Sequence, residues 1–148
     1  MNDTPRVLIA DKMDPRAAAI FRERGIHVDE KPGLTPEEFA EIIGDYDGLA
    51  VRSSTKVNAA AMDEAIPRLK VIGRAGIGVD TIDVPAATAR GIVVMNTPFG
   101  NSITTAEHAI AMLFALAREI PAADQSTQAG KWEKNRFMGV ELSAKTLG

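Results

Sequence analysis

Five short runs of β-branched and aliphatic residues recur at a nearly regular interval: VLIA from Val7, IHV from Ile26, GLAV from Gly48, LKVIG from Leu69 and IVVM from Ile92. Each has the length of a strand, and every gap between them carries helix start and stop signals. A strand that returns parallel to its predecessor needs a crossover of a dozen or more residues, commonly a helix. The alternation therefore predicts an α/β chain, a doubly wound parallel sheet with helices on both faces.

The helix signals are specific. Asp14-Pro15 supplies an N-cap and a proline at the first helical position, and Gly25 supplies the stop. Thr35-Pro36-Glu37-Glu38 reads as a capping box, with Thr35 accepting from a free backbone N–H while Glu38 reaches back; Gly44 ends that helix. Asp83, Pro85 and Gly91 frame a further helix before the strand at Ile92. Asp80 and Asp83 read as caps of a turn and a helix.

After Met95 the rhythm stops. Residues 96–102, NTPFGNS, form a turn-rich connection, and a helix runs from about Ile103 to Glu119, where Pro121 terminates it. Its centre, AIAMLFALA, is apolar all round, the pattern of a helix buried on every side. It calls for cover from a second subunit or a further domain. Residues 130–139 read as an arm or interface, with Trp132 and Phe137 as packing anchors, and KTLG at 145–148 reads as the lead-in to another strand. The expected division is an incomplete domain over 1–97 and the beginning of a second over 98–148.

Composition narrows the function. A net charge of −3 offers no basic field for nucleic acid or an anionic membrane. The absence of cysteine excludes disulfides, thiolate metal sites and cysteine nucleophiles. The two histidines, His27 and His108, lack metal-ligand spacing and read as structural. The opening MNDTPRVLIADK is too polar for a secretory signal, and no apolar run approaches the roughly 20 residues of a membrane helix. A cytoplasmic protein is the expectation.

In a doubly wound sheet, ligands bind beyond the carboxyl ends of the strands. Two loops qualify. Arg52-Ser53-Ser54-Thr55-Lys56 follows the third strand and offers a guanidinium, hydroxyls and an ammonium. Arg can grip a carboxylate or phosphate through two parallel bonds. Arg74-Ala75-Gly76-Ile77-Gly78 follows the fourth and offers backbone N–H groups that glycine leaves approachable. Together they describe a pocket for a small acid with one or two anionic groups. Plainer readings stand beside this one: Arg52 and Lys56 as solvated loop charges, the glycines as turn formers, and Arg74 as partner to a surface carboxylate. The glycine order, Gly73-x-x-Gly76-x-Gly78, is not the dinucleotide fingerprint G-x-G-x-x-G, and no acidic residue follows at about 20 positions.

Five collinear segments carry a resemblance: VRSSTKV at 51–57, VIGRAGIGVDTIDV at 71–84, GIVVMNTPFGNS at 91–102, AEHAIAMLFALAREIP at 106–121 and GKWEKNRFMGVELSAKTLG at 130–148. Together they resemble the D-2-hydroxyacid dehydrogenases, with Arg52 and GRAG at 73–76 pointing to the phosphoglycerate branch. The resemblance implies oxidation of 3-phosphoglycerate with NAD, in serine synthesis, by a homodimer. It implies a flavodoxin-like substrate domain followed by the helical start of a truncated Rossmann domain, with the cofactor fingerprint and the catalytic arginine, glutamate and histidine beyond Gly148. The isolated chain would then not transfer hydride. It further implies that Arg52, Ser53 and Lys56, and secondarily Arg74, contact substrate phosphate or carboxylate, and that Ala75 and Gly76 present N–H groups to the carboxylate. Ile77 would lie on the nicotinamide side, Asn96, Thr97 and Pro98 would form a hinge crossing, and the 103–119 helix with the following arm would pack in the dimer. Thr81 stands where the family usually has asparagine, and Ala144 where glycine is common.

Two other readings fit the rhythm. A reductase of another 2-hydroxyacid, glyoxylate or hydroxypyruvate, would share the scaffold, as would a non-catalytic anion-binding dimer. A phosphotransfer receiver does not fit. It needs an acidic pair, an aspartate and a lysine where this chain has Ala10-Asp11, Arg52-Ser53 and Asn96-Thr97.

Overall fold

The computed structural model describes residues 4–148; Met1 to Asp3, part of the polar opening, lie outside them. The chain divides into two compact units at Gly100/Asn101, so residues 96–98 fall inside the first unit.

The first unit alternates as expected. Strand β1 (Arg6–Ile9) leads to helix α1 (Pro15–Glu23), β2 (His27–Glu30), α2 (Pro36–Ile43), β3 (Gly48–Val51), α3 (Ala59–Ala65), β4 (Val71–Arg74), α4 (Val84–Ala89) and β5 (Val93–Met95). The five strands are all parallel, in the order β2-β1-β3-β4-β5. The chain thus winds outward from β1 to β2, then crosses back to add β3, β4 and β5 on the other side.

Local chemistry sets the helix starts. Asp14 Oδ1 accepts from the Arg16 N–H at 2.8 Å. The Thr35–Glu38 box is reciprocal: the Glu38 N–H donates to Thr35 Oγ1 at 3.2 Å and the Thr35 N–H to Glu38 Oε2 at 2.9 Å. Asn58 and Asp83 cap α3 and α4 at 2.9 Å each. Gly25 closes α1 in the left-handed region, at φ 72°. Gly44 ends α2 for another reason: its backbone is right-handed, but an added Cβ would lie 2.8 Å from the Glu64 carbonyl oxygen.

Register divides the residues between the two faces. Leu8, Leu49, Ile72 and Val94 stand in one row across four strands. This row packs into the main core with Phe39, Ile43, Tyr46, Met62, Ala65 and Ala87, from α2, α3, α4 and a connecting loop. The opposite face carries the rows Val7–Gly48–Val71–Val93 and Ile9–Ala50–Gly73–Met95. There α1 covers Ile9 and Val28 in a small second cluster, and Val93 and Met95 remain 57% and 54% exposed.

The second unit holds α5 (Ser102–Ala117), α6 (Ile120–Gln128) and a 3₁₀ turn at Lys134–Arg136. The sequence-based stop is corrected here. Helix α5 ends because Glu119 turns left-handed, at φ 51°, and Pro121 occupies the first turn of α6, where its missing N–H costs nothing. Within its own unit the apolar α5 is not buried: Ile103, Ile110, Met112, Phe114 and Leu116 are exposed, as is Trp132, which therefore anchors no packing there. Ala144 sits at φ 58°, a conformation that favours glycine, so the alanine here occupies a position better suited to the glycine common in the resembling family. Among the described residues, no helix is long and apolar enough to cross a membrane.

Candidate active site

The order of the strands places a switch point between β1 and β3, where the loops leaving their carboxyl ends part and leave a crevice. The loop after β1 carries Asp11 and Lys12; the loop after β3 carries Arg52 to Lys56. They are clipped together. The buried Asp11 carboxylate accepts from the Arg52 N–H at 2.5 Å, the Thr55 N–H at 3.3 Å and the Thr55 hydroxyl at 2.8 Å. The Arg52 guanidinium donates through Nη1 to the Lys12 carbonyl at 3.2 Å.

The glycine turn joins this loop through the sheet. Val51 pairs with Arg74 in register, so Arg52 and Ala75 begin adjacent excursions. The Ala75 N–H donates to the Val51 carbonyl and the Gly76 N–H to the Arg74 carbonyl, both at 2.9 Å. The two N–H groups expected to meet a substrate carboxylate are therefore engaged within the protein. Among the described residues, the Ile77 and Gly78 N–H groups make no such bond, and those residues are exposed. Sequence reasoning missed this pair because the glycine pattern marks the turn and does not say which of its amides the strand ladder consumes.

Gly76 has a steric role. An added Cβ there would fall on the Arg74 guanidinium. The arginine lies across the turn with its Nε buried and unpartnered, and it forms no ion pair, in both respects among the described residues. The flexible Arg74 side chain thus occupies the space above Gly76, and the glycine order of the 73–78 turn is not that of a dinucleotide cradle.

Asn96 and Thr97 reach the same turn: the Asn96 side-chain amide donates to the Ile77 carbonyl at 2.7 Å, and the Thr97 N–H to the Gly76 carbonyl at 2.9 Å. Below it, Val57 and Ile82 form an isolated parallel bridge that ties the end of the 52–56 loop to the end of the glycine loop. Thr81 gives its carbonyl to the Val57 N–H, while its own hydroxyl is buried without a partner among the described residues.

Lys56 lines a cleft of about 420 Å³ with Asp11, Thr35, Phe39, Thr55 and Asn58. Arg52 and Ser53 lie on the open rim, exposed. His27 is not here: its Nε2 lies 3.3 Å from Asp29 Oδ1 at the amino end of the sheet. His108 belongs to α5 of the second unit. Around His27 the groups are mutually satisfied. Burial pushes Asp29 up, but hydrogen bonds from Tyr46 and Arg6 outweigh it and hold the carboxyl below its usual range. Burial, then the bond to Asp29, pushes the Tyr46 hydroxyl up to about 12. No group of three or more metal-ligating side chains is present among the described residues.

A five-stranded parallel sheet in the order 2-1-3-4-5, with helices on both faces, defines a flavodoxin-like α/β domain. Family comparison makes this specific: residues 7–144 match the D-isomer specific 2-hydroxyacid dehydrogenase catalytic domain, and the chain belongs to that family. It is 50% identical over 143 residues to a D-3-phosphoglycerate dehydrogenase of Archaeoglobus fulgidus, matching 97% of this chain and 27% of that one. It spans about a quarter of the length of that relative. Among solved structures, it resembles an NAD+-bound 3-phosphoglycerate dehydrogenase of Entamoeba histolytica (30% identity, TM-score 0.68, 78% of this chain and 40% of that one). It also resembles a glyoxylate reductase from Paecilomyes thermophila (26% identity, TM-score 0.85, 100% and 48%).

Proposed function

We propose that this chain is the substrate-side portion of an NAD-dependent oxidoreductase that interconverts 3-phosphoglycerate and 3-phosphohydroxypyruvate, in serine synthesis. The observation that carries the reading is the clipped Arg52 beside the glycine turn. A guanidinium held at its backbone and at Nη1 keeps its other nitrogens for an anion, and unengaged N–H groups at Ile77 and Gly78 lie on the neighbouring excursion. Arg52, Ser53 and Lys56 bind the phosphate or carboxylate, and Arg74 adds positive charge. Ala75 and Gly76 shape the turn, and Ile77 faces the nicotinamide.

NAD belongs to the whole protein. The glycine order of the 73–78 turn is not the dinucleotide fingerprint, and His27 lies at the amino end of the sheet, away from the site loops. The isolated chain therefore binds substrate without turning it over. Asn96, Thr97 and Pro98 form the crossing between domains, and the apolar α5 with the following arm forms a homodimer contact.

A second reading, reduction of glyoxylate or hydroxypyruvate, is favoured by the likeness to the glyoxylate reductase. The cations Arg52, Lys56 and Arg74 argue for the phosphorylated acid. Calorimetric titration of the purified chain with 3-phosphoglycerate and with glycerate separates the two: tighter binding of the phosphorylated acid by tenfold or more is expected, and equal binding removes the phosphoglycerate assignment. NADH formation from 3-phosphoglycerate by the isolated chain would overturn the separation of binding from turnover.

A further inference from the structure

Among the described residues, Asp11 is the one charged side chain in the buried set, at 4% exposure. A buried carboxylate is costly unless its charge is met. No ion pair meets it among the described residues; its partners are two backbone N–H groups and a hydroxyl, all from Arg52 and Thr55. Nothing else in the β1–α1 connection uses it. Its neighbour, Lys12, offers a carbonyl to the guanidinium of the same arginine. Two consecutive residues after β1 thus fix both the main chain and the side chain of Arg52, on a loop that is otherwise open to solvent.

The chemistry suits a carboxylate. It has two oxygens and no donor, so it gathers three convergent donors without offering a group that competes for an anion. A hydroxyl at this position would leave at least one donor of the loop unmet.

We infer that Asp11 is a positioning residue for substrate: its carboxylate holds the 52–55 loop so that the Arg52 guanidinium stands ready for the anionic group. The inference rests on the reading that Arg52 grips that group. Pre-organisation of this kind lowers the ordering cost of binding, so its loss appears as weaker affinity.

The test is calorimetric titration of 3-phosphoglycerate into the purified chain and its variants, with circular dichroism melts as the check on folding. Arg52→Gln should weaken binding about tenfold or more, the size of one charge-assisted contact. Asp11→Ala should weaken it by a comparable factor, and the double variant D11A/R52Q should bind no worse than R52Q alone, because the two act through one contact. Asp11→Asn should rescue most of the affinity. Its Oδ1 can still accept both N–H groups, while its amide turns to the Thr55 oxygen. Should D11A fail to fold, Thr55→Val loosens the same clip with little change of shape, and a loss of about threefold is expected. Wild-type affinity in D11A and T55V beside a weakened R52Q would overturn the inference and leave the functional reading intact, as would losses that multiply in the double variant. An R52Q chain that binds like wild type, or a wild-type chain that takes up no 3-phosphoglycerate, would sink the functional reading and this inference together.

Discussion

The two faces of the sheet are built from the same five strands and are filled very differently. Toward α2, α3 and α4 the row Leu8–Leu49–Ile72–Val94 meets a continuous apolar layer, and its first three members are at most 2% exposed. Toward α1 the central positions are Gly48, Ala50 and Gly73, and the row ends in half-exposed Val93 and Met95. Stability resides on the side that three helices seal; on the other a single helix covers β1, β2 and Ala50 of β3 and leaves the β5 residues open. The site loops emerge at the carboxyl end, where both faces run out.

The strongest way to break this comparison is to open the filled face. Ile72 is fully buried at the centre of the sheet, and Ile72→Ala should cost about 2–5 kcal/mol by lost transfer free energy and the cavity left behind. Urea unfolding would read it, and a loss under about 1 kcal/mol would mean that the layer is not close-packed. Next in size is Gly44→Ala, on the same side. Its Cβ would meet the Glu64 carbonyl oxygen at 2.8 Å, a backbone atom that cannot swing aside, so a loss of about 1–3 kcal/mol is expected. Unchanged stability would show that α2 and α3 separate freely.

A third, smaller effect belongs to Tyr46, whose ring is buried in the filled layer and whose hydroxyl donates to Asp29 at 2.9 Å. Its folded pKa, about 12, lies above the ordinary 10.0. The phenol therefore contributes stability that is fully present below pH 10 and is lost as pH rises through about 12. Tyr46→Phe should lose about 1 kcal/mol near neutral pH, and the difference from wild type should shrink across that alkaline window. Parallel stability curves from pH 8 upward, by chemical denaturation, would sink this account.

Much of the architecture was legible because it rests on local chemistry. The period of strands and caps announced the alternation, and Asp14, Thr35–Glu38 and Asp83 cap the helices they were read to cap. Strand edges shifted by a residue or two because pairing, more than side-chain type, sets them: Arg6 and Glu30 join the ladder although neither is apolar. Pro121 misled because a proline marks both a helix end and the first turn of the next helix, and only the left-handed Glu119 decides between them. At the site, Arg52, Lys56 and the glycine turn were visible as residue types. The clip by Asp11 was not, since it joins positions 41 and 44 apart in sequence. Nor was the engagement of the Ala75 and Gly76 amides, which depends on the register of β3 with β4.

The smallest expected effect sharpens the comparison most. Val93 lies on the β5 edge of the face that α1 leaves uncovered and is 57% exposed, whereas Ile72 on the neighbouring strand points into the sealed layer. Val93→Thr keeps the β-branch and nearly the same shape, and places a hydroxyl where water already reaches. The hydrophobic loss is then a fraction of that for a buried methyl, and the change should stay within about 0.5 kcal/mol. A larger loss independent of protein concentration would mean that the chain itself covers this row in solution. One that grows with concentration would mean that a second copy does. In either case the face would be covered in solution, and the contrast between the two faces would belong to the first unit taken by itself.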